Sequence, residues 1–163
     1  MSKNYWLMKS EPDECSFDDV LAAPERTVPW TGVRNYQARN FMRDDMRPGD
    51  GVLFYHSSCA EPGIAGIARV ASRAYADETQ FDRSSEYYDE AATREAPRWV
   101  HVDVQAVRAI ELIALARLRA CAELADLAIL RRGNRLSITP VTPAQWTFIT
   151  TVLARPRPRT RRS

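Results

Sequence analysis

Residues 30–40 read WTGVRNYQARN, where Trp30 and Tyr36 stand among Arg34, Asn35, Gln37 and Arg39. The only aliphatic side chain of any size in that stretch is Val33. An aromatic ring can stack on a base for roughly 1–3 kcal/mol. A carboxamide donates and accepts in one plane, so Asn35 and Gln37 match a base edge. Guanidinium groups suit phosphate oxygens, which makes Arg34 and Arg39 candidate phosphate ligands. These are the parts of a nucleotide site at the entrance to a helix. Arg34 is the oddest of them, because a cation near a helix N-terminus runs against the helix dipole by about 0.3–1 kcal/mol. A phosphate drawn to that terminus would explain it. An ion pair with Asp18, Asp19 or Glu11 would explain it equally.

Further candidates lie outside this stretch. Trp6, Tyr55 and Trp99 offer stacking surfaces, and Lys9 and Arg98 offer cations. Trp6 reads more readily as core, as does Trp146 on the closing helix. Trp99 lies opposite the valine face of its strand, so the main core accounts for it less well. In GIAGIA (63–68), Gly66 and Ala68 share a strand face, which admits either a closely approaching ligand or a barrel bend.

Catalytic signatures are absent. Ser10, His56 and Asp50 could be imagined as a triad, but no G-x-S-x-G elbow surrounds any Ser. No P-loop, dinucleotide fingerprint or H-E-x-x-H occurs. Cys15, Cys59 and Cys121 have no metal spacing, and their odd number speaks against a disulfide framework. With only His56 and His101 as imidazoles, neither a metal site nor a cofactor is expected.

The elements that must carry these residues follow from local pattern. YWLMK (5–9), GVLFYHS (51–57), PGIAGIARVASRA (62–74), RWVHVDVQAVRAI (98–110) and RLSITPV (135–141) read as strands. In the long fourth strand Val100, Val102, Val104 and Ala106 share one face, opposite Trp99, His101, Asp103 and Gln105. Helices are expected at 16–23 with Ser16 as N-cap, from near Asn35, in broken form over 114–130, and at 142–154. The last opens with Thr142 as cap, Pro143 at its first position and Gln145 three residues after the cap. Residues 24–33 read as loop, and 75–97 as a long polar excursion of a kind that is often functional. Strands and helices do not alternate regularly, which favours a small mixed, curved α+β sheet or barrel with peripheral helices over a doubly wound one.

Length and charge bound the rest. A chain of 163 residues fits one domain or two small ones. Net charge is +2, but RPRPRTRRS (155–163) holds five Arg, and without it 18 basic face 21 acidic residues. The body is therefore no general polyanion binder. The tail is expected to be disordered, either as a weak electrostatic attractor or as a solubilising end. The longest apolar runs are far too short to cross a bilayer, and the N-terminus lacks a signal-peptide core. We expect a monomer inside the cell: cytoplasmic and near nucleoid or RNA in a bacterium, nuclear in a eukaryote.

The chain resembles the EVE domain family of the PUA-like superfamily. The segments that carry the resemblance are NYWLMKSEPDE (4–14), PWTGVRNYQARNFMRDDMRPGD (29–50), VLFYHSSCAEPGIAGIARV (52–70), YYD (87–89), PRWVHVDV (97–104) and LRRGNRLSITPVTPAQW (130–146). It implies a PUA-like barrel-like sheet of five or six strands over residues 1–154. It also implies non-enzymatic binding of a modified base in DNA or RNA, flipped into an aromatic-lined pocket. Carried onto this sequence, that pocket takes Trp30, Asn35 and Tyr36, with Lys9, Ser10, Glu11, Tyr55, His56 and Ser57, and further Gly66, Trp99, Leu136 and Ser137. Phosphates fall to Arg34, Arg39, Lys9 and Arg98. Thr31 stands where the family commonly has Asp, Cys15 where an aromatic or aliphatic is usual, and His101 where an apolar residue is usual. The alternatives are a nucleic-acid-processing or small-molecule enzyme in the same pocket, and a protein-interaction module built on residues 75–97.

Overall fold

The computed structural model describes residues 3–158. The chain forms β1 (Tyr5–Ser10), α1 (Phe17–Ala22), β2 (Thr27–Pro29), α2 (Tyr36–Asn40), β3 (Gly51–His56), β4 (Gly63–Val70), β5 (Tyr75–Ala76), β6 (Val100–His101), β7 (Asp103–Ala114), α3 (Leu115–Arg119), β8 (Ile138–Val141) and α4 (Pro143–Phe148). Six strands make one mixed sheet in the order β2-β7-β4-β3-β1-β8, and β5 pairs with β6 apart from it. β1 and β3 run parallel, while the other pairings are antiparallel. The sheet is a curled half-barrel, within the five- or six-stranded range expected. Among the described residues no helix is long and apolar enough to cross a membrane.

Period-two alternation splits the apolar residues between the faces of the sheet. Trp6, Met8, Val52 and Phe54 join one core cluster with Val104 and Ala106, and α1 and α2 cover it through Phe17, Val20 and Ala38. Leu7, Leu53 and Tyr55 face the other way, under Leu118, Leu124, Leu127 and Ile149. The alternation slips inside β4, where Ala65 and Ala68 belong to the first face and Ile64 and Ile67 to the second. Register shifts mark the same stretch of the β4–β7 pair. A bulge of this kind bends the strand and strengthens its twist, which is how a short sheet curls. Gly66 lies in the irregular stretch, and a Cβ there would meet the Phe17 ring at 2.3 Å. The close neighbour that this glycine admits is therefore the protein's own Phe17.

Two helices begin where their caps predict. Ser16 and Asp19 form a reciprocal capping box, as do Thr142 and Gln145. Asn35 caps α2, its side chain accepting from the Ala38 N–H. α2 and α4 then widen into π-turns at Phe41–Asp45 and Ile149–Leu153. The expected loop at 24–33 contains β2, which pairs with β7 through Thr27–Pro29.

The tail departs from expectation at its start. Residues 155–158 lie along β7: the Glu111 N–H donates to Arg155 O at 2.9 Å and the Arg157 N–H to Ala109 O at 3.2 Å. Pro156 bridges Ile110 between them. Proline can sit on an edge strand at positions that need no donor, so the Arg-Pro alternation is compatible with pairing. Arg157 also pairs with Asp18 of α1. The rest of the tail, 159–163, lies outside the described residues.

Candidate functional site

The ends of β1 and β3 and the entrance of β8 lie at one end of the sheet, and the end of β2, which pairs with the start of β7, reaches the same hollow. Because β1 and β3 are parallel and in register from Tyr5↔Gly51 to Ser10↔His56, they terminate together. The Ser57 N–H donates to Ser10 O at 3.0 Å beyond them. β8 is antiparallel to β1, so its entrance is at the same end, and the Lys9 N–H donates to Ser137 O at 2.8 Å. β2 delivers Trp30, whose N–H donates to Val102 O at 2.9 Å. β2 and β8 are opposite edges of the sheet, yet both reach the same hollow; the curl brings them together. The hollow is a cavity of about 740 Å³, lined by Lys9, Ser10, Glu11, Trp30, Ser57 and Ser137 among the expected residues. That volume lies within the range of small-molecule and cofactor sites, about 300–1,000 Å³.

One wall comes from the excursion after β5. Arg34 uses its whole fork within the protein: Nε and Nη2 donate to Tyr87 O at 3.0 and 2.8 Å, Nη1 to Val33 O and Asp77 Oδ2 at 2.9 and 3.2 Å, and Nη2 to Thr79 Oγ1 at 3.0 Å. Asp77 is fully buried and also accepts from the Gly32 and Thr79 N–H groups. Burial acts to raise its carboxyl, but the hydrogen bonds from Thr79, Gly32 and Arg34 outweigh it and hold it below the ordinary carboxylate range. The network sets the Tyr87 ring against Gly32, where φ is +87° and a Cβ would lie 2.8 Å from the ring. The Tyr87 hydroxyl donates to Glu14 Oε1 at 2.8 Å across the mouth. Burial and then Glu14 push that phenol up, so it stays a donor. Arg34 lines the cavity but is a strut; its expected phosphate role is corrected, and its acidic partner is Asp77 in place of Asp18, Asp19 or Glu11.

Trp30 is 8% exposed and packs edge-on to Phe54, with centroids 5.3 Å apart. It forms part of the cavity floor and is no free-standing platform. Val28 and Val33 add apolar lining. The polar lining is mixed: Lys9 and Arg135 bring positive charge beside Glu11, Glu14 and Glu86. Burial lowers the Lys9 ammonium below the ordinary lysine range. Ser10 Oγ donates to Cys15 O at 2.6 Å, and the Cys15 thiol is pushed up by burial and then by Asp19.

Several expected site residues are elsewhere. Asn35 is exposed and caps α2, which occupies the oxygen meant for a base edge. Tyr36 stacks on Trp99 with centroids 4.8 Å apart, and Arg39 lies 4.7 Å over the Tyr36 ring. Trp99 is itself buried and donates through Nε1 to Asp89 at 2.8 Å. Arg39 Nη1 donates to Arg98 O at 3.0 Å, and the exposed Arg98 side chain does not line the cavity. These aromatics satisfy one another. Tyr55 is buried in the second face, because its neighbour Phe54 takes the first. Gly66 is covered by Phe17, and Leu136 lines a second hollow.

His56 is a structural acceptor. The Phe17 N–H donates to its Nε2 at 3.1 Å, at the start of α1. Asp50 accepts from Trp6 Nε1 and the Arg47 N–H, so no triad forms with Ser10. Burial is the leading cause that draws the imidazole below its ordinary 6.5, and only the neutral ring can accept at Nε2. A depressed folded-state value means that this contribution is present above pH 6.5 and is lost as pH falls through the folded value. The melting temperature of the wild type should therefore drop below pH 6.5 more steeply than that of His56→Gln, as read by calorimetry; parallel curves would contradict it.

The sequence reading missed Arg135, Tyr87, Glu14, Glu86, Gly32 and Val33, all of which line the cavity. Gly32 carried a signal, since a glycine beside Trp30 invites positive φ or close approach. Tyr87 fell in a segment of the family resemblance, but nothing local placed it at the cavity, because its position depends on Arg34 across 53 residues of chain. Among the described residues no group of His, Cys, Asp or Glu could hold a metal ion.

Comparison with known proteins gives a consistent result. The EVE domain profile matches residues 4–152. Thymocyte nuclear protein 1 of Homo sapiens is 40% identical over 164 residues, covering 90% of this chain and 72% of that protein. A solved structure of human THYN1 protein in complex with 5-methylcytosine-containing DNA is 39% identical, covers 92% of this chain and 97% of that one, and has a TM-score of 0.86. A crystal structure of a Pseudomonas syringae protein is 46% identical, covers 91% and 98%, and also has a TM-score of 0.86.

Proposed function

This chain belongs to the EVE domain family, and on that premise we propose that it binds one modified base of a nucleic acid in the cavity at the strand ends, without turnover. The observation that carries the reading is the cavity itself: about 740 Å³, with Trp30 and two valines for apolar lining and a lysine among glutamates for polar lining. Its likeness to a human relative solved with 5-methylcytosine DNA supports that chemistry. A cytosine edge offers an amine to a carboxylate and acceptors to an ammonium. Glu11, Glu14 or Glu86 can take the first role and Lys9 the second. A 5-methyl group would meet Trp30, Val28 or Val33 and gain roughly 0.8 kcal/mol by leaving water.

Binding without catalysis fits the surrounding groups. Ser10, His56 and Asp50 are each engaged in holding the fold, and the Cys15 thiol is raised away from thiolate. On this reading the protein works where nucleic acid is, at nucleoid or RNA in a bacterium or in the nucleus of a eukaryote. The test is titration with single-stranded oligonucleotides that differ only in one 5-methylcytosine, at about 0.15 M salt, a condition that must be fixed because phosphate contacts are salt-dependent. Tighter binding of the methylated strand is expected. Equal affinities, or release of an altered base, would overturn the reading.

A further inference from the structure

Arg131, Arg132 and Arg135 lie exposed on one turn between the short 3₁₀ turn Ala128–Leu130 and β8. Among the described residues none of the three belongs to an ion pair. They differ in this from Arg34, which is consumed by the wall of the first cavity. The turn is well held. Gly133 takes φ +79°, Asn134 Nδ2 donates to Ala128 O at 2.8 Å, and the Leu136 N–H donates to Asn134 Oδ1 at 3.0 Å. Three unpaired guanidinium groups on five residues stand out against residues 1–154, whose 18 basic and 21 acidic residues sum to −3.

The turn is also a partition. Arg135 and Ser137 line the first cavity. Arg131, Arg132, Asn134 and Leu136 line a second one of about 610 Å³ on the other side. The ridge between them is one chain wide, roughly 5 Å. That is on the scale of one nucleotide step, about 3.4 Å in a stacked strand and longer in an unstacked one. The second cavity offers the Phe41 ring, Pro140 and the Gln37 carboxamide, with Asp126 its single acid. A flat heterocycle beside a phosphate suits such a lining.

We infer that the strand carrying the bound base crosses the Arg131–Arg135 turn, with its phosphates on these guanidinium groups and the neighbouring nucleotide in the second cavity. This rests on the base-binding reading of the first cavity. It moves the phosphate contacts from Arg34 and Arg39 to the β8 approach. Each arginine pairs with a phosphate without reading sequence, so the turn sets strand path and affinity while the first cavity sets discrimination.

The test compares the wild type with the double variant Arg131→Gln, Arg132→Gln, whose changes are exposed and lie outside the first cavity, and whose melting temperature checks the fold. Ligands are 5-methyldeoxycytidine, the dinucleotide extended on either side, and five-nucleotide strands with and without the methyl group. The slope of log affinity against log salt should fall by about 1.4 in the variant, from a single-strand dependence near 0.7 for each of two phosphate contacts. Affinity should drop for methylated and plain strands alike, their ratio should hold, and nucleoside binding should not change. The wild type should gain affinity from nucleoside to one of the dinucleotides, and the variant should lose most of that gain. An unchanged slope, or no gain on either extension, overturns the inference and leaves nucleoside binding standing. A wild type that binds none of these ligands overturns both readings.

Discussion

Replacing Arg34 by Ala should destabilise the fold by about 3–5 kcal/mol, the loss typical of breaking a buried ion pair from one side. Five hydrogen bonds leave with the guanidinium, and Asp77, fully buried, keeps its charge without its cation. Gly32 and Thr79 still donate to Asp77, which sets the loss toward the lower end. The Tyr87 carbonyl loses both of its donors, so the wall beside Gly32 loosens and base binding weakens as a secondary effect. Arg34→Lys should rescue little, because an ammonium cannot reproduce a planar fork. Denaturant unfolding with an unchanged slope is the measurement. A loss under about 1 kcal/mol, the scale of an exposed pair, would return Arg34 to the pool of phosphate ligands. The carboxyl adds a pH signature. Asp77 is held below its ordinary 3.8, so its contribution is present above that value and lost as pH falls through the folded one. Acid unfolding should therefore begin at higher pH in Arg34→Ala.

Trp30→Ala is the second large effect, at about 3–5 kcal/mol of stability for truncating an aromatic in a packed core. The indole is 8% exposed and leans on Phe54, so this variant confounds fold with binding. Trp30→Phe separates them. It keeps a ring beside Phe54 and withdraws part of the surface that reaches the cavity. If that surface touches the base, affinity for a methylated strand should fall by up to the roughly 1–3 kcal/mol of a base–aromatic contact. The melting temperature should move far less than in the alanine variant. A Trp30→Phe protein that separates methylated from plain strands as the wild type does would remove the indole from the binding account.

Local signals survived folding intact. Ser16 and Thr142 each cap the helix that follows, as expected, because capping needs only residues a few positions apart. The valine face from Val100 to Ala106 faces the core as expected, since strand periodicity is a property of the backbone. The stretch WTGVRNYQARN divides between the cavity and the fold. Trp30 reaches the cavity, whereas Asn35 and Tyr36 are spent on a cap and a stack. Stacking rings and amides look alike in sequence whether their partner is a ligand or another side chain.

Residue pattern was enough for the family resemblance, which implied five or six strands where the sheet has six, and for the strands whose ends carry Lys9, Ser10, Ser57 and Ser137. Which cations stay available became visible only in the folded molecule. Arg34 met Asp77 across 43 residues, while Arg131, Arg132 and Arg135 are in no ion pair among the described residues. The physical reason is that a guanidinium has a finite set of donors. Whether they are already filled depends on long-range partners brought close by the curl of the sheet, which no local pattern records.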